Sequence, residues 1–401
     1  MKMKMRSIFF HLLLACLPVI IVAGCRKMEG DNTAEEKRQG QPLPVKGSQL
    51  TLVFVGDIMQ QEDQIKSAMR DSDRFDYSGV FDLVKPEISG ADLAVANLET
   101  TFGGKPYVGF PRFSSPDEWM DAIKDCGFDI VTTSNNHTMD TGLEGALRTL
   151  DIIDKAQLLR LGSYRNSEER EQNYPLLVEK NGIKLCLLNF CYGTNDIEGH
   201  EIKKTVKYTK HVPPPLVVNF IDTAVIAKDL EKAKAMKPDA IIALPHTGFE
   251  YETIQSQLQE DLAQWFFDKG VDHVLFCHPH VVQPLEVRTF NGGRHLVAFS
   301  LGNFISAQTP SPTNGGIIVK LTLEKTESGT KMVDCSYDLT WLSRPFLSGK
   351  NVFTIYPENY PTDQLNYLEK ERRDLIFGNL HKLMEKHNKG FENGRMKKNN
   401  N

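Results

Sequence analysis

Five separated stretches of this chain place metal-binding residue types directly after apolar runs. Asp57 follows the run 52–55, Glu99 follows 93–96, and Asn136 with His137 follows 130–131. His246 follows 241–244, and His278 with His280 follows 274–276. Carboxylate, amide and imidazole groups delivered to one place are the donor set of a divalent-metal centre that performs hydrolysis.

The stretches differ in how much they say alone. Gly56 before Asp57 lets the backbone carry a carboxylate close to an ion, but a strand-terminal Asp by itself is commonly a turn or cap residue. Glu99 has two oxygens and can bridge two ions; read alone it is also a cap or a loop acid. Asn136 offers a neutral carbonyl ligand. The adjacent His137 can donate a proton to a leaving group or stabilise an oxyanion, and Asp140 follows close behind. His246, beside Thr247 and Gly248, is a ligand candidate that Glu250 could orient. His278 and His280, separated by Pro279, can serve two adjacent ions and form the most specific piece. Asn303, in Ser300-Leu301-Gly302-Asn303-Phe304, is either a wall of the site or a plain turn.

Short apolar runs separated by helical stretches predict the parallel strands of an α/β domain. Strands are expected over 50–56, 93–97, 130–133, 158–161, 183–189, 240–245, 273–276 and 295–300. Helices are expected over 222–236 and 257–269. Thr141 with Glu144 reads as a capping box that opens a helix with Leu143, Leu147, Leu150 and Ile153 on one face. The alternation predicts a layered α/β sandwich. In open α/β sheets the ligand crevice lies beyond the carboxyl ends of the strands, so all the candidates would meet there.

The flanks read differently. Lys2, Lys4 and Arg6 precede an apolar stretch over 8–22, and Val22-Ala23-Gly24-Cys25 matches the lipobox of bacterial lipoproteins. The apolar core is short for a membrane span, so residues 1–24 are expected to be a signal peptide and Cys25 the lipidated N-terminus of the mature chain. That places the protein in the cell envelope, membrane-anchored and facing away from the cytoplasm. Residues 25–49 are expected to be a disordered tether, 50–345 the folded body, 346–388 a helical extension and 389–401 a basic, asparagine-rich disordered tail.

The 401 residues carry a net charge of −5. Loss of the three basic residues of the signal leaves 44 basic against 52 acidic residues, which argues against general nucleic-acid binding. Beyond Cys16 and Cys25, Cys126, Cys186, Cys191, Cys277 and Cys335 remain. An odd number in apolar contexts implies small core residues rather than a disulfide framework. Arg112 and the lysines Lys203, Lys204 and Lys207 are candidates for holding an anionic chain or, equally, for a solvated surface.

Taken in order, FVGDIM, ANLETTF, SNNHTMDTG, PHTGFEYE, CHPHVVQPLE and SLGNF resemble the CapA family of capsule-synthesis proteins, named for poly-γ-glutamate capsule biosynthesis. The resemblance covers residues 50–342. It implies a calcineurin-like metallophosphoesterase fold, a four-layer α/β/β/α sandwich. It also implies two divalent ions (Mn, Fe or Zn) held by Asp57, Glu99, Asn136, His246, His278 and His280, with Glu99 bridging and His137 as the catalytic imidazole. Met59 stands where the wider superfamily has a histidine, which leaves a single-ion arrangement open. Phe276 and Thr247 stand where the family commonly has Gly and Trp, and these positions shape the pocket rather than supply ligands.

The resulting expectation is a lipid-anchored, metal-dependent hydrolase or transferase acting on an anionic polymer or a phosphoester, working beside other capsule-synthesis membrane proteins. Two other readings stand beside it: a non-catalytic assembly subunit that binds the polymer, and a phosphodiesterase unrelated to capsule.

Overall fold

The first strand, Ser48–Ile58, sends alternate side chains to opposite faces, and that alternation divides the core. Leu50, Leu52 and Phe54 enter one apolar cluster, whereas Val53 and Val55 enter another. The strand Ile183–Cys191 repeats the pattern: Leu185 and Leu187 join Leu50 and Leu52, while Cys186, Leu188 and Phe190 face a third cluster. A strand buried on both faces needs cover on both. In the computed structural model, which describes residues 47–71, 73–195, 208–290, 292–308 and 312–398, that cover is a second sheet on one side and helices on the other.

The larger sheet has a parallel half formed by Ser48–Ile58, Leu93–Leu98, Ile130–Thr132 and Leu159–Leu161. On the other flank of Ser48–Ile58 lie the long antiparallel strands Gly315–Thr326 and Gly329–Ser343. The smaller sheet runs parallel through Ile183–Cys191, Ala240–His246, His273–Leu275 and Gly293–Ala298. Leu176–Lys180 and Leu285–Phe290 close its two edges antiparallel. Asp117–Cys126 and Gly142–Lys155 cover the outer face of the larger sheet through Trp119, Met120, Ile123 and Ile153. Thr223–Ala235 and Gln257–Asp268 cover the smaller sheet through Ile226, Leu230, Phe266 and Phe267. The layers are therefore α/β/β/α, the sandwich expected from the resemblance.

Local chemistry starts these helices as their sequences allow. Asp222 caps Thr223–Ala235 by accepting from Ala224 N–H and Val225 N–H, and Ser256 with Gln259 forms a capping box ahead of Gln257–Asp268. The capping box expected at Thr141 and Glu144 does not form: Thr141 makes no cap bond, and its hydroxyl pairs with Thr101 Oγ1 at 2.8 Å. The five cysteines outside 1–46 are free, so Cys186 and Cys191 are not bridged.

The C-terminal region also departs from expectation. The sheet does not end at 345, because Thr354–Pro357 pairs with Gly329–Ser343. The helix Tyr367–His387 inserts Ile376, Phe377, Leu380 and Met384 into the core cluster between the sheets. Residues 389–398 are not a disordered tail. Phe391–Glu392 and Arg395–Met396 form a hairpin that joins the larger sheet at Ser336, and Asn393 and Gly394 both take positive φ at its turn. Asn-Gly is the favoured two-residue hairpin turn because both positions tolerate that conformation. No helix among the described residues is long and apolar enough to cross a membrane. Cys25, the signal and nearly all of the tether lie outside the described residues, as do Lys203, Lys204 and Lys207; Ser48 and Gln49 already belong to the first strand.

One close approach fixes the end of that strand. A Cβ on Gly56 would sit 1.8 Å from the Gly302 carbonyl oxygen. Gly302 itself has a φ of +69°, and its carbonyl accepts from Asp57 N–H at 3.0 Å. Two glycines from distant motifs thus let the backbones meet where Asp57 leaves the sheet. Gly56→Ala is expected to lower unfolding free energy by about 3 kcal/mol or more, since the clash is with backbone. Urea denaturation reads this directly, and an unchanged midpoint would contradict the packing.

Candidate metal centre

All the parallel strands of both sheets end toward one crevice, and the buried side chains beyond them form a single cluster. Asp57 ends Ser48–Ile58, Glu99 follows Leu93–Leu98, and Asn136, His137 and Asp140 follow Ile130–Thr132. His246 ends Ala240–His246, and His278 and His280 follow His273–Leu275. All of these residues are buried. Two groups of ligand atoms lie within 4.8 Å of one another: Asp57, Glu99 and His246, and Glu99, His278 and His280. Glu99 belongs to both.

Glu99 Oε1 is the centre of this arrangement. It lies 3.7 Å from His246 Nε2, 3.7 Å from His280 Nε2 and 3.9 Å from His137 Nε2, and it has no hydrogen-bond partner among the described residues. His278 Nδ1 is likewise buried without a partner. Buried polar atoms left unpaired are costly. A divalent cation, ligated by carboxylate oxygen and imidazole nitrogen, accounts for both orphans, so the residues present fit a metal.

Electrostatics agree. Burial, followed by the charge of Asp57, pushes the Glu99 carboxyl well above the usual range. Burial lowers His246 to about 3, and together with neighbouring imidazoles it drives His278 well down. Burial opposes the charged form of Asp57, but the hydrogen bond and charge of His280 outweigh it and hold the carboxyl at about 2. His280 is raised: burial pulls it down, and the hydrogen bond and charge of Asp57 prevail. Neutral imidazoles at His246 and His278 beside crowded carboxylates suit a cation, which binds the deprotonated forms.

The supporting contacts run outward from there. His280 Nδ1 lies 3.1 Å from Asp57 Oδ2 and 3.0 Å from Asn303 Oδ1, which sets Asn303 against the cluster. His246 Nε2 lies 2.8 Å from Asn136 Oδ1. His137 Nδ1 lies 2.6 Å from Asp140 Oδ2, which also accepts from Phe113 N–H, and the Phe113 ring packs edge-on to His137 at 4.6 Å. Arg112 precedes Phe113 in that segment. Glu250 is exposed and no hydrogen bond joins it to a candidate ligand among the described residues; its charge reaches His280 and Glu99 and, after burial, helps raise Tyr251 to about 12. The backbone holds the paired histidines under strain, with φ of 109° at His278 and 60° at His280. Such conformations cost about 1–3 kcal/mol each and persist where the surroundings over-determine them.

Three amides that sequence reasoning missed organise the cluster. Asn135 Oδ1 accepts from His137 N–H, so Asn135 Nδ2 must face the Leu98 carbonyl and Asn97 Oδ1. Asn97 then presents its Nδ2 to Asp57 Oδ1 at 2.8 Å, Glu99 Oε2 at 3.1 Å and His246 Nδ1 at 3.3 Å. Because a backbone donor and a backbone acceptor anchor this chain of bonds, the amide orientations follow from it. Asn195 Nδ2 reaches His137 Nδ1 at 3.3 Å and Asp140 Oδ1 at 3.4 Å. The signal for Asn97 was a lone polar residue inside a buried apolar strand. Asn97→Ala strips one amide from two buried carboxylates and is expected to cost about 2–4 kcal/mol in chemical denaturation; a loss under about 0.5 kcal/mol would show the amide to be peripheral.

The sequence matches the family model described as "Bacterial capsule synthesis protein PGA_cap" over residues 51–308. It is 26% identical over 335 residues to the capsule biosynthesis protein CapA of Bacillus anthracis, covering 81% of this chain and 74% of that protein. It is 27% identical over 291 residues to the PGA biosynthesis protein CapA of Bacillus subtilis (strain 168), covering 70% and 69%. Among solved structures, a 5'-nucleotidase from Candida albicans SC5314 aligns at 11% identity with a TM-score of 0.40, over 71% of this chain and 50% of that one. The family match spans every residue of the cluster from Asp57 to Asn303, and the chain belongs to the bacterial capsule synthesis protein PGA_cap family.

Proposed function

We propose that this protein is a metal-dependent hydrolase or transferase, anchored in the cell envelope by lipid on Cys25, that acts in synthesis, release or export of an anionic capsule polymer such as poly-γ-glutamate. The observation that carries the catalytic part is the unpartnered, fully buried Glu99 Oε1 among three imidazole nitrogens. Asp57, Asn136 and His246 would hold one ion and His278 and His280 another, with Glu99 shared because it belongs to both ligand groups. Mn, Fe and Zn all accept this mixed donor set. Bound ions of this kind supply Lewis acidity and bring the pKa of water toward neutrality.

The chain's own residues supply the rest. Asp140 holds His137 by Nδ1, and Asn195 Nδ2 donates to the other Asp140 oxygen, which leaves His137 Nε2 turned toward Glu99 and the crevice. His137 so placed donates a proton to a departing oxygen or nitrogen. That role serves a phosphoester and a γ-glutamyl amide equally. Phe113, itself fully buried, packs edge-on against the His137 ring. Support for the capsule role is the family membership and the two Bacillus relatives.

His137→Gln is expected to retain the wild-type metal content while turnover falls about 10²–10⁴-fold, assayed on aryl phosphate esters and on γ-glutamyl oligomers. Wild-type turnover in the variant would refute the acid role. Activity confined to aryl phosphates would favour a phosphodiesterase unrelated to capsule. A mature N-terminus without diacylglycerol, by mass spectrometry, would remove the anchor.

A further inference from the structure

Among the described residues, three buried polar atoms around the cluster lack hydrogen-bond partners: Glu99 Oε1, His278 Nδ1 and the hydroxyl of Tyr192. Metal ligation explains the first two and not the third. Tyr192 directly follows the strand Ile183–Cys191, so it stands at a strand end like the ligands themselves. Its backbone N–H donates to the His246 carbonyl at 3.2 Å, which ties it to the ligand strand. Its ring centroid lies 4.7 Å from that of His278, and 6.5 Å from that of His246 with the planes only 10° apart. Tyr208 packs edge-on against it at 4.6 Å and is 48% exposed, so the pair runs from solvent to the histidines.

A buried tyrosine hydroxyl normally finds a partner, and one left without costs about 1–3 kcal/mol. A neutral phenol carries one hydrogen to donate. A donor set between Tyr208 and two candidate ligand imidazoles, with no well-formed hydrogen bond to any described residue, is preorganised for an acceptor that arrives with the ligand. We infer that Tyr192 is a substrate-binding residue whose hydroxyl donates a hydrogen bond to an anionic oxygen of the group bound at the metal centre. The acceptor is an oxyanion of the substrate, phosphoryl or carboxylate. This deepens the metal-centre reading and rests on it, because the ions bring the anion past Glu99, Asp57 and Glu250.

Tyr192→Phe removes only the hydroxyl and keeps the ring on His278. Binding of inorganic phosphate and of γ-glutamylglutamate to the full-length chain, in excess Mn²⁺, would be measured by calorimetry for wild type and variant. Metal content and thermal midpoint would be recorded on the same samples. Metal content is expected to match, the midpoint to stay level or rise, and affinity for one probe to fall about 10- to 100-fold. The probe that responds identifies the oxyanion as phosphoryl or carboxylate. Equal affinity in the two proteins, including no binding by either, overturns the inference. So does a lowered midpoint, which would mean that the hydroxyl is already paired in the free protein. Metal content in the wild type tells whether the metal-centre reading fails with it.

Discussion

The buried carboxylate of Glu99 is the constraint around which the crevice is organised. Both its oxygens lie beyond the carboxyl ends of the two sheets, and Oε1 faces three imidazoles without a donor. An unpaired charge in such a place is costly enough that the group either takes up a proton or keeps a cation. The surrounding structure carries further cost at the same spot: His278 and His280 hold positive φ, His278 Nδ1 is unpaired, and Asp57 crowds Glu99 through a shared Asn97 amide. Strain and unpaired groups concentrated at one point mark a functional site. The four-layer architecture supplies what offsets them, because three apolar clusters on the two sheets' faces keep every strand end in register.

The division of labour follows from that geometry. The larger sheet contributes the carboxylates and the Asn136–His137–Asp140 segment; the smaller sheet contributes His246, His278 and His280. Neither sheet alone has a complete donor set. The Gly56–Gly302 approach and the Asn97 hydrogen bonds act as the joints: one holds the first strand against the Asn303 turn, and the other links Asp57 and Glu99 to His246. The candidate ligands and the candidate catalytic imidazole sit at buried strand ends, whereas Tyr208, Phe249 and Tyr251 are exposed.

Much of this is legible in the chain because buried parallel strands write themselves as uninterrupted apolar runs, and a polar residue that ends such a run stands out. Asp57, Glu99, His246, His278 and His280 are all found that way. The same rule hides Asn97 and Tyr192. Asn97 lies inside its run rather than after it, and a tyrosine beside apolar neighbours in Phe190-Cys191-Tyr192 reads as core. Glu250 shows the opposite failure, since proximity to a ligand in sequence does not carry its side chain inward. The antiparallel strands Gly315–Thr326 and Gly329–Ser343 fall outside a search for apolar runs followed by polar ligands. The terminal hairpin is masked by its charged, asparagine-rich surroundings, although Asn393-Gly394 states the turn and Phe391 and Met396 supply its buried contacts.

The central claim is that the cluster holds divalent ions. Elemental analysis of the full-length chain, purified without chelators or a histidine tag, tests it beside an Asp57→Asn/His246→Ala double variant of equal folded content by circular dichroism. Transition metal is expected at a stoichiometry of about two ions per wild-type chain, as for a two-metal site, and is expected to be lost in the variant. Fewer than about one ion per chain in well-folded wild type, or equal metal in the two proteins, would contradict it.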